Sequence, residues 1–386
     1  MVKRIISNRL LALSKKTPIL TITGPRQSGK TTLAKTVFPN YRYISLENPD
    51  NLDFALSDPK GFLNTYGQKI IIDEAQYAPK LFSYIQTIVD EKNENGLYVL
   101  TGSQNFLLHA KISQSLAGRV IIFNLLPFSY DELKNTKYNI ENLSELIVKG
   151  FYPRIYDSGL NSSDWYQSYI QTYLERDVRQ ILNVGDINAF RNFLRVCAGR
   201  CGQVLNLSSI GNDLGISYQT VKKWLSVLEQ SYIVYLLQPY FENFNKRIIK
   251  SPKLYFYDTG LVCSLLGISS PESYELHYLK GNIFESYVIS ELLKSKFNSG
   301  SSKELFYWKD LNGNEIDCIV SSGTEIKAIG IKSSSTIKSD FFKTLYLWNK
   351  LNPKKNNNLN LIFGGNEVQK RESIKVVGWN NCSDVF

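Results

Sequence analysis

The sequence lacks the features that mark several common classes of protein. It has two histidines, one methionine and five scattered cysteines, which predicts free thiols and no disulfide framework. Cys197 and Cys201 lie one helical turn apart, but no histidine or second cysteine pair stands near them, so a metal site is not expected there. No run of about eighteen apolar residues is present, and residues 1–16 read as an amphipathic helix rather than a signal peptide. These absences predict a cytoplasmic protein without a membrane partner.

What the chain does have is an ordinary globular composition with an excess of positive charge. Its 386 residues are 43% hydrophobic and 21% charged, which suits two or three domains with cores of their own. The formal net charge is +10, and the excess is densest in residues 200–250, which hold six basic residues against three acidic ones. A basic balance permits a nucleic-acid partner without demonstrating one.

The most informative stretch is residues 19–32, where a short apolar run leads into a glycine-containing loop. The spacing from Gly24 to Thr31 is that of a phosphate-binding loop, G-x-x-x-x-G-K-[ST]. The glycines let successive N–H groups converge on phosphate oxygens, and the following helix points its positive end at the same anion. Lys30 would reach the β- and γ-phosphates of ATP, and the Thr31 hydroxyl would contact Mg²⁺. The predicted nucleotide-binding residues are Gly24, Pro25, Arg26, Gln27, Ser28, Gly29, Lys30, Thr31 and Thr32.

A second apolar strand ends in two carboxylates. Residues 69–72 lead into Asp73 and Glu74. Ligands of open α/β sheets bind at the carboxyl ends of the strands, which is where these side chains would lie. Asp73 is therefore predicted to hold Mg²⁺, directly or through water, and Glu74 to polarise the water that attacks the γ-phosphate. The alternative is a solvated strand end with no role in catalysis.

Two more positions in this region are candidate catalytic groups, each with an alternative. Ser103 and Gln104 follow another strand and would either meet the γ-phosphate or the attacking water, or form a plain polar turn. Arg119 precedes a strand and would either pair with phosphate or make a salt bridge. Short apolar segments that alternate with helices predict a parallel sheet covered on both faces. The predicted strands are 19–23, 42–46, 69–73, 97–101 and 119–123.

Residues 136–199 are predicted to be helical and are rich in aromatic side chains. Trp165, Tyr169 and Tyr173 recur every four residues, which favours a packed face over a base-stacking platform. Arg176 and Arg179 follow, and one of them could reach a nucleotide of the same or a neighbouring subunit, although surface ion pairs are the favoured interpretation.

Residues 207–231 carry the pattern of a helix-turn-helix. Ser208 and Ser217 can cap its two helices, and Gly215 ends the first helix in a left-handed turn. The second helix has an apolar stripe at helical spacing. The members of the stripe are Val221, Trp224, Leu225 and Leu228.

The opposite face of the second helix is polar. It offers Gln219, Lys222 and Lys223, which suit base-edge and phosphate contacts with double-stranded DNA. The apolar strand predicted at 232–237 indicates a winged variant of the motif. Contact with DNA stays open at this point, because such modules also serve as packing or protein-contact domains.

The C-terminal residues place acidic side chains on a helix and a hairpin. A hairpin that turns at residues 322–323 would lay Asp317 across from Ala328, with residue 330 diagonal to Asp317. A metal nuclease of the restriction type needs its second acid at that position, where this chain has Gly330. A Mg²⁺ site that loses a carboxylate binds poorly, so the predicted site is vestigial. Its residues are Glu285, Glu315, Asp317 and Lys332. Asp258, in an Asp-Thr-Gly segment, is expected to form a turn.

Taken together, these motifs resemble a large prokaryotic family of AAA+-type ATPases, in which a P-loop ATPase is joined to a C-terminal region of unknown function. The resemblance covers nearly the whole chain. It rests on segments at 24–33, 70–76, 100–104, 115–120, 150–154, 173–179, 207–231, 250–261, 281–294, 314–320 and 330–336. It implies an α/β fold with an AAA+-like parallel sheet, a winged helix-turn-helix and an α/β C-terminal domain like that of restriction endonucleases.

The resemblance also implies roles for individual residues. Lys30 and Thr31 would bind phosphate and Mg²⁺, Asp73 would bind Mg²⁺, and Glu74 would activate water. Ser103 and Arg119 match further family positions. The family's acid-x-Lys pattern is broken at Gly330, which weakens any inference of nuclease activity.

These observations predict four domains and three functions to be tested. The domains are an ATPase core at 1–135, a helical connector at 136–199, a winged helix-turn-helix at 200–250 and a C-terminal domain at 251–386. The first function is Mg²⁺-dependent ATP hydrolysis that moves the helix-turn-helix and C-terminal module, acting on DNA. The second is a nucleotide-gated switch that binds a protein partner and hydrolyses slowly, and the third is an ATP-controlled metal nuclease. A homo-oligomer is compatible with each.

Overall fold

The computed structural model describes residues 2–103, 115–174, 187–240, 250–323, 325–352 and 356–386, which divide into two compact units. The first unit comprises Met1–Phe128 with the short pieces Gln230–Tyr232 and Phe297–Ser299. The second comprises Ser129–Glu229, Ile233–Lys296 and Gly300–Phe386. The connector, the helix-turn-helix and the C-terminal segment, which are predicted as separate domains, therefore lie in one unit.

Among the described residues of the first unit, five strands form one parallel sheet. They are β1 (Ile19–Thr23), β2 (Arg42–Ser45), β3 (Ile70–Asp73), β4 (Tyr98–Gly102) and β5 (Val120–Asn124), in the spatial order β2-β3-β4-β1-β5. Each strand differs from its predicted range by no more than one residue at either end. Because the strands are parallel, their carboxyl ends lie at one edge of the sheet. The phosphate loop follows β1 at this edge, and Asp73 is the last residue of β3 there.

Helices cover both faces of this sheet because its strands are apolar on both sides. On one face Ile70 packs in a core with Phe62 and Phe82, and on the other Ile71 packs in a core with Leu33. The helices are α1 (Ser7–Ser14), α2 (Lys30–Val37), α3 (Pro49–Ser57), α4 (Pro59–Tyr66) and α5 (Leu81–Lys92), with a 3₁₀ turn at Ala75–Tyr77.

The second unit begins with short helices that pack through aromatic side chains. They are α6 (Tyr130–Leu133), α7 (Leu143–Lys149), α8 (Pro153–Asp157) and α9 (Ser162–Tyr169), followed by a π-helical turn at Ile170–Leu174. Trp165 and Tyr169 are buried and their rings stack with centroids 5.0 Å apart. This confirms the packed face that the sequence favours for these two residues.

The next three helices, α10 (Ile187–Gly199), α11 (Leu207–Leu214) and α12 (Tyr218–Gln230), contain the helix-turn-helix. Gly215 ends α11 in the left-handed region at φ 65°, and the Ser217 hydroxyl accepts the N–H of Thr220 over 3.1 Å, as predicted. The prediction that Ser208 caps α11 is wrong. The cap is Asn206, whose side chain accepts the N–H of Ser209 over 3.0 Å, because the helix already begins at Leu207.

Over the described part of the second unit, nine strands form a single mixed sheet. They are β6 (Gln203–Val204), β7 (Val234–Pro239), β8 (Lys253–Phe256), β9 (Glu304–Lys309), β10 (Glu315–Ser321), β11 (Glu325–Lys332), β12 (Asn356–Phe363), β13 (Gln369–Arg371) and β14 (Ile374–Gly378). Their spatial order is β13-β14-β12-β11-β10-β9-β7-β8-β6. Because β7 pairs with both β8 and β9, the sheet crosses the boundary predicted at residue 250.

The remaining helices lie between the strands of this sheet along the chain. They are α13 (Thr259–Leu266), α14 (Pro271–Glu275), α15 (Lys280–Ser299) and α16 (Lys343–Leu351), with 3₁₀ turns at Ser339–Phe342 and Trp379–Val385. Asp258 caps α13 by accepting the N–H of Leu261 over 3.0 Å, and it also accepts from Tyr166 over 2.6 Å. Burial raises the pKa of its carboxyl group. None of the helices in the described ranges combines the length and hydropathy needed to cross a membrane.

Candidate functional site

The loop between β1 and α2 has a backbone that requires glycine at two positions. Gly24 has φ 147°, and a Cβ there would lie 2.1 Å from the carbonyl oxygen of Leu125. Gly29 has φ 92° immediately before Lys30, the first residue of α2. Both backbone angles are unfavourable for residues with a side chain. The loop therefore has the local geometry that the sequence predicts for phosphate binding.

Lys30 points back into this loop. Its ammonium donates to the carbonyl oxygens of Gly24 over 3.0 Å and Pro25 over 2.8 Å, and the residue is buried. The ammonium is thus held inside the loop that would surround a phosphate. Arg4, which the sequence analysis did not single out, supports the loop from outside. Its guanidinium donates to the carbonyl oxygen of Ser28 over 2.9 Å.

Asp73 lies at the carboxyl end of β3 and accepts hydrogen bonds from three hydroxyl groups. Oδ2 accepts from Thr31 over 3.0 Å and from Tyr43 over 2.7 Å, and Oδ1 accepts from Thr101. The structure thus brings Thr31 and Asp73 together as predicted. Tyr43 and Thr101 were missed, although both are polar residues in the predicted strands that flank β3. Burial, followed by the hydrogen bond and the negative charge of Asp73, raises the pKa of the Tyr43 hydroxyl.

Glu74 adopts the left-handed region at φ 54° and is buried beside Ser103. Its Oε2 accepts from the backbone N–H of Ser103 over 3.3 Å, from the Ser103 hydroxyl over 3.1 Å, and from the side-chain amide of Gln76. Ser103 therefore contacts Glu74, where the sequence suggested the γ-phosphate or the attacking water. No role was predicted for Gln76. Its position two residues after Glu74 is the feature of the sequence that could have indicated one.

Arg119 is not brought to the phosphate loop. Its guanidinium donates to both carboxylate oxygens of Asp90, over 2.5 and 2.8 Å. It precedes β5, whose first residue pairs with Ile19, whereas the phosphate loop leaves the other end of β1. Of the two alternatives that the sequence left open for Arg119, the structure shows the salt bridge. Gln104, Arg176 and Arg179 lie outside the described residues.

A second group of acidic side chains lies in the second unit, where α15 meets β10. We call it the lysine–carboxylate cluster. Oxygens of its three carboxylates, Glu285, Glu315 and Asp317, come within 4.8 Å of one another. Lys253, from β8, has a side chain that is 4% exposed, and its ammonium pairs with Glu285 over 2.8 Å and with Glu315.

Two further lysines complete this cluster. Lys309 pairs with Glu315 over 2.5 Å, and Lys332 pairs with Asp317 over 3.4 Å. Burial alone would lower the pKa of Lys253, but the neighbouring carboxylates raise it above its ordinary value, so the ammonium stays charged. Each carboxylate predicted for a vestigial metal site is therefore already paired with an ammonium group.

The predicted register of the hairpin around Asp317 is wrong. Ala328 pairs with Ile319 and Ile329 pairs with Cys318, so Asp317 falls opposite Gly330. The loop between the paired residues 321 and 326 has four residues, two more than the tight turn that the prediction assumed. A Cβ at Gly330 would lie 3.6 Å from Leu345 and 3.5 Å from Leu361. A side chain at this position would thus begin in the apolar core.

The polar face of α12 is open to solvent as predicted. Gln219, Lys222 and Lys223 are all exposed. A groove of about 900 Å³ runs beside this helix and is lined in part by Tyr218, Lys222 and Lys250.

Comparisons with known proteins match the chain in three consecutive parts. Residues 16–134 match an AAA domain, residues 140–272 match a domain of unknown function (DUF8612), and residues 280–382 match another (DUF4143). Two relatives are the uncharacterized proteins Mb2031c of Mycobacterium bovis and Rv2008c of Mycobacterium tuberculosis. Each is 29% identical over 337 residues, which is 86% of this chain and 74% of the relative.

Among solved structures, the chain is similar to the Walker-type ATPase PABY2304 of Pyrococcus abyssi. The similarity has a TM-score of 0.46 and 16% identity, over 67% of this chain and 94% of that one. The match of residues 16–134 spans the phosphate loop, Asp73 and Glu74. The chain therefore joins an AAA-type P-loop domain to a C-terminal domain of unknown function.

Proposed function

We propose that the first unit binds ATP together with Mg²⁺ and hydrolyses it. The observation that carries this proposal is the hydrogen bond of 3.0 Å from the Thr31 hydroxyl to Asp73, 42 residues away in the chain. A hydroxyl and a carboxylate at the carboxyl edge of a parallel sheet are oxygen ligands of the kind that Mg²⁺ prefers, so these residues fit the ion. When bound, Mg²⁺ would neutralise charge on the β- and γ-phosphates.

Lys30 and the backbone of the phosphate loop would bind the phosphates. The Lys30 ammonium now donates to two carbonyl oxygens. A phosphate oxygen carries negative charge and makes a stronger hydrogen bond with an ammonium than a neutral carbonyl does. ATP would therefore draw the ammonium from the carbonyl groups of Gly24 and Pro25 to its β- and γ-phosphates.

Glu74 would accept a proton from the attacking water. Its carboxylate lies next to Asp73 in sequence and is held by Ser103 and Gln76. We assign Ser103 the role of positioning Glu74, because its hydroxyl and its backbone N–H both donate to Oε2. A base held in this way can act without first losing rotational freedom.

Two substitutions test this proposal separately. Glu74→Gln should retain ATP binding and lower turnover by about 10²- to 10⁴-fold, the usual contribution of a general base. Lys30→Ala should lose ATP binding, measured with a fluorescent ATP analogue. Glu91→Gln and Lys60→Ala, which change exposed residues of the same unit, are the matched controls. Turnover in Glu74→Gln equal to that of the unchanged protein would contradict the role of Glu74.

We further propose that the second unit carries a winged helix that contacts double-stranded DNA. The order α10, β6, α11, α12, β7, β8, with β6 and β7 both antiparallel to β8, supports a winged arrangement. The exposed lysines of α12 support contact with phosphates. ATP hydrolysis would then be coupled to movement of this module.

The test of DNA contact is the salt dependence of affinity. Replacing Lys222 and Lys223 together by Ala should reduce the slope of log affinity against log salt by about 0.9 for each phosphate that these lysines neutralise. Replacing Lys338 and Lys343, which are exposed elsewhere in the same unit, removes equal charge and should leave the slope unchanged. Equal slopes for both double variants would mean that DNA contacts another surface or does not bind.

A second candidate function is a nucleotide-gated switch that binds a protein partner and hydrolyses slowly. The observation that favours it is that Oε2 of Glu74 already accepts from Ser103 and Gln76, so this oxygen would have to release a donor before it could take a proton from water, which would slow hydrolysis. Nucleotide retained through purification, with slow turnover that DNA does not stimulate, would support the switch. Fast turnover stimulated by DNA would exclude it. We do not propose nuclease activity, because lysines already pair with the carboxylates of the cluster.

A further inference from the structure

Asp73 has more hydrogen-bond partners than the phosphate-loop motif provides. Thr31 belongs to that motif, whereas Tyr43 and Thr101 come from the two strands on either side of β3. We propose that Tyr43 is a positioning residue that fixes the carboxylate of Asp73 for Mg²⁺. This inference rests on the proposed binding of ATP with Mg²⁺ to the first unit.

The geometry at Asp73 shows how the Tyr43 hydroxyl would act. It donates to Oδ2 over 2.7 Å, and the same oxygen accepts from Thr31 over 3.0 Å. Oδ1 accepts from Thr101. A carboxylate has about four acceptor positions, so three hydroxyls fix its plane and leave a position for a cation. Because hydroxyl groups are neutral, they orient the carboxylate without cancelling its charge.

Tyr43 is itself held between two elements of the site. Its ring lies beneath the ammonium of Lys35, which is 3.5 Å from the ring centroid. Lys35 follows Thr31 by one turn of α2. Tyr43 therefore contacts the helix that follows the phosphate loop through its ring and Asp73 through its hydroxyl. The residue is part-buried, so removing only its hydroxyl leaves the packing of the sheet in place.

A positioning role has a specific consequence for metal affinity. Outer partners that hydrogen-bond to a metal ligand commonly change metal affinity by about 10- to 100-fold when they are removed. Removing the Tyr43 hydroxyl leaves Thr31 and Thr101 on Asp73, so the lower end of this range is expected. ATP binding without metal should not change, because within the described residues the Tyr43 hydroxyl donates to Asp73 and not to the phosphate loop.

The experiment titrates Mg²⁺ against binding of a fluorescent ATP analogue to the full chain. Tyr43→Phe should raise the half-saturating Mg²⁺ concentration about tenfold and leave binding in excess EDTA unchanged. The matched control is Tyr41→Phe, which removes a hydroxyl that donates to the Gly96 carbonyl oxygen over 2.5 Å, and it should leave both values unchanged. A thermal melt of each variant verifies folding.

A double-variant cycle separates positioning from a general structural effect. Asp73→Asn should lose most of the Mg²⁺ dependence, and adding Tyr43→Phe to it should change nothing further. If Tyr43→Phe shows the same Mg²⁺ dependence as the unchanged protein, or if the two effects simply add, the inference is overturned. If the unchanged protein binds no nucleotide at any Mg²⁺ concentration, the proposed function fails first, and the inference fails with it.

Discussion

Carboxylates at two places in the molecule satisfy their charge in opposite ways. In the first unit, Asp73 accepts hydrogen bonds from the hydroxyls of Thr31, Tyr43 and Thr101. In the second unit, the lysine–carboxylate cluster sets three carboxylates against the ammonium groups of three lysines. Hydroxyls orient a carboxylate and leave its charge to be met by a cation from solution. Ammonium groups neutralise it within the chain.

If Mg²⁺ binds at Asp73 as proposed, a count of nearby carboxylates does not identify a metal site. By that criterion the cluster is the stronger candidate, because it has three acids within 4.8 Å. Its buried cation is Lys253, and a divalent ion would have to displace an ammonium that its carboxylate partners hold in place. On this proposal, the charge of the partners, and not the number of acids, separates a metal site from a structural ion-pair network.

The largest expected effect comes from replacing Lys253, the buried lysine of the lysine–carboxylate cluster. Lys253→Met should lower the free energy of unfolding of the second unit by about 3–5 kcal/mol, because it removes the ammonium partner of Glu285 and one of the two ammonium partners of Glu315. All five tryptophans of the sequence lie in that unit, so urea unfolding followed by tryptophan fluorescence measures it selectively.

The control for this prediction is Lys309→Met. Lys309 pairs with the same Glu315, but its side chain is 29% exposed, so the loss should be no more than about 1 kcal/mol. Equal losses in the two variants would mean that burial of the Lys253 ammonium does not matter. Asp73 and the cluster would then differ less than their hydrogen bonds and ion pairs indicate.

A smaller effect is expected when ATP and Mg²⁺ from solution bind to the first unit. ATP with Mg²⁺, at about 100 times its dissociation constant, should stabilise the first unit by about 2.7 kcal/mol. Asp73→Asn should lose the part of this gain that depends on Mg²⁺ and keep the part that ATP gives in EDTA. Hydrogen exchange of residues 19–124 can follow the first unit. A full gain in Asp73→Asn would show that Asp73 does not hold the ion.

The smallest expected effect is that of Mg²⁺ without nucleotide on the second unit. Because lysines neutralise the cluster, millimolar Mg²⁺ should not change the unfolding midpoint of the unchanged protein, measured by tryptophan fluorescence. In Lys253→Met the three carboxylates lose their central cation, and the same Mg²⁺ should raise the unfolding midpoint. Stabilisation of the second unit of the unchanged protein by Mg²⁺ would remove the distinction between the cluster and Asp73.

The parts that could be predicted from sequence are those fixed by neighbouring residues. The phosphate loop depends on Gly24, Gly29 and Lys30, which lie within seven positions of one another, and the apolar strands of the first unit fell within one residue of their predicted ends. Asp73 could be placed because parallel strands bring their carboxyl ends to one edge. Local chemistry and one rule of topology were sufficient.

The parts that could not be predicted depend on contacts between distant residues or on the length of a turn. Lys253 meets Glu285 and Glu315, 32 and 62 positions further along the chain, and no local pattern marks such a pairing. The register of Asp317 followed from an assumed two-residue turn, and the longer loop moved its partner from Ala328 to Gly330. Tyr43 lies in a correctly predicted strand, but its partner became evident only from the side-chain geometry.

The position of β7 within the large sheet determines how the protein can be taken apart. β7 hydrogen-bonds to β8 on one side and to β9 on the other, and β6 also hydrogen-bonds to β8. A fragment that stopped at residue 250 would leave both edges of β7 without a hydrogen-bonding partner. Unpaired strand edges of this kind promote aggregation. A fragment designed to study the helix-turn-helix should therefore retain β8 and β9 together with β7.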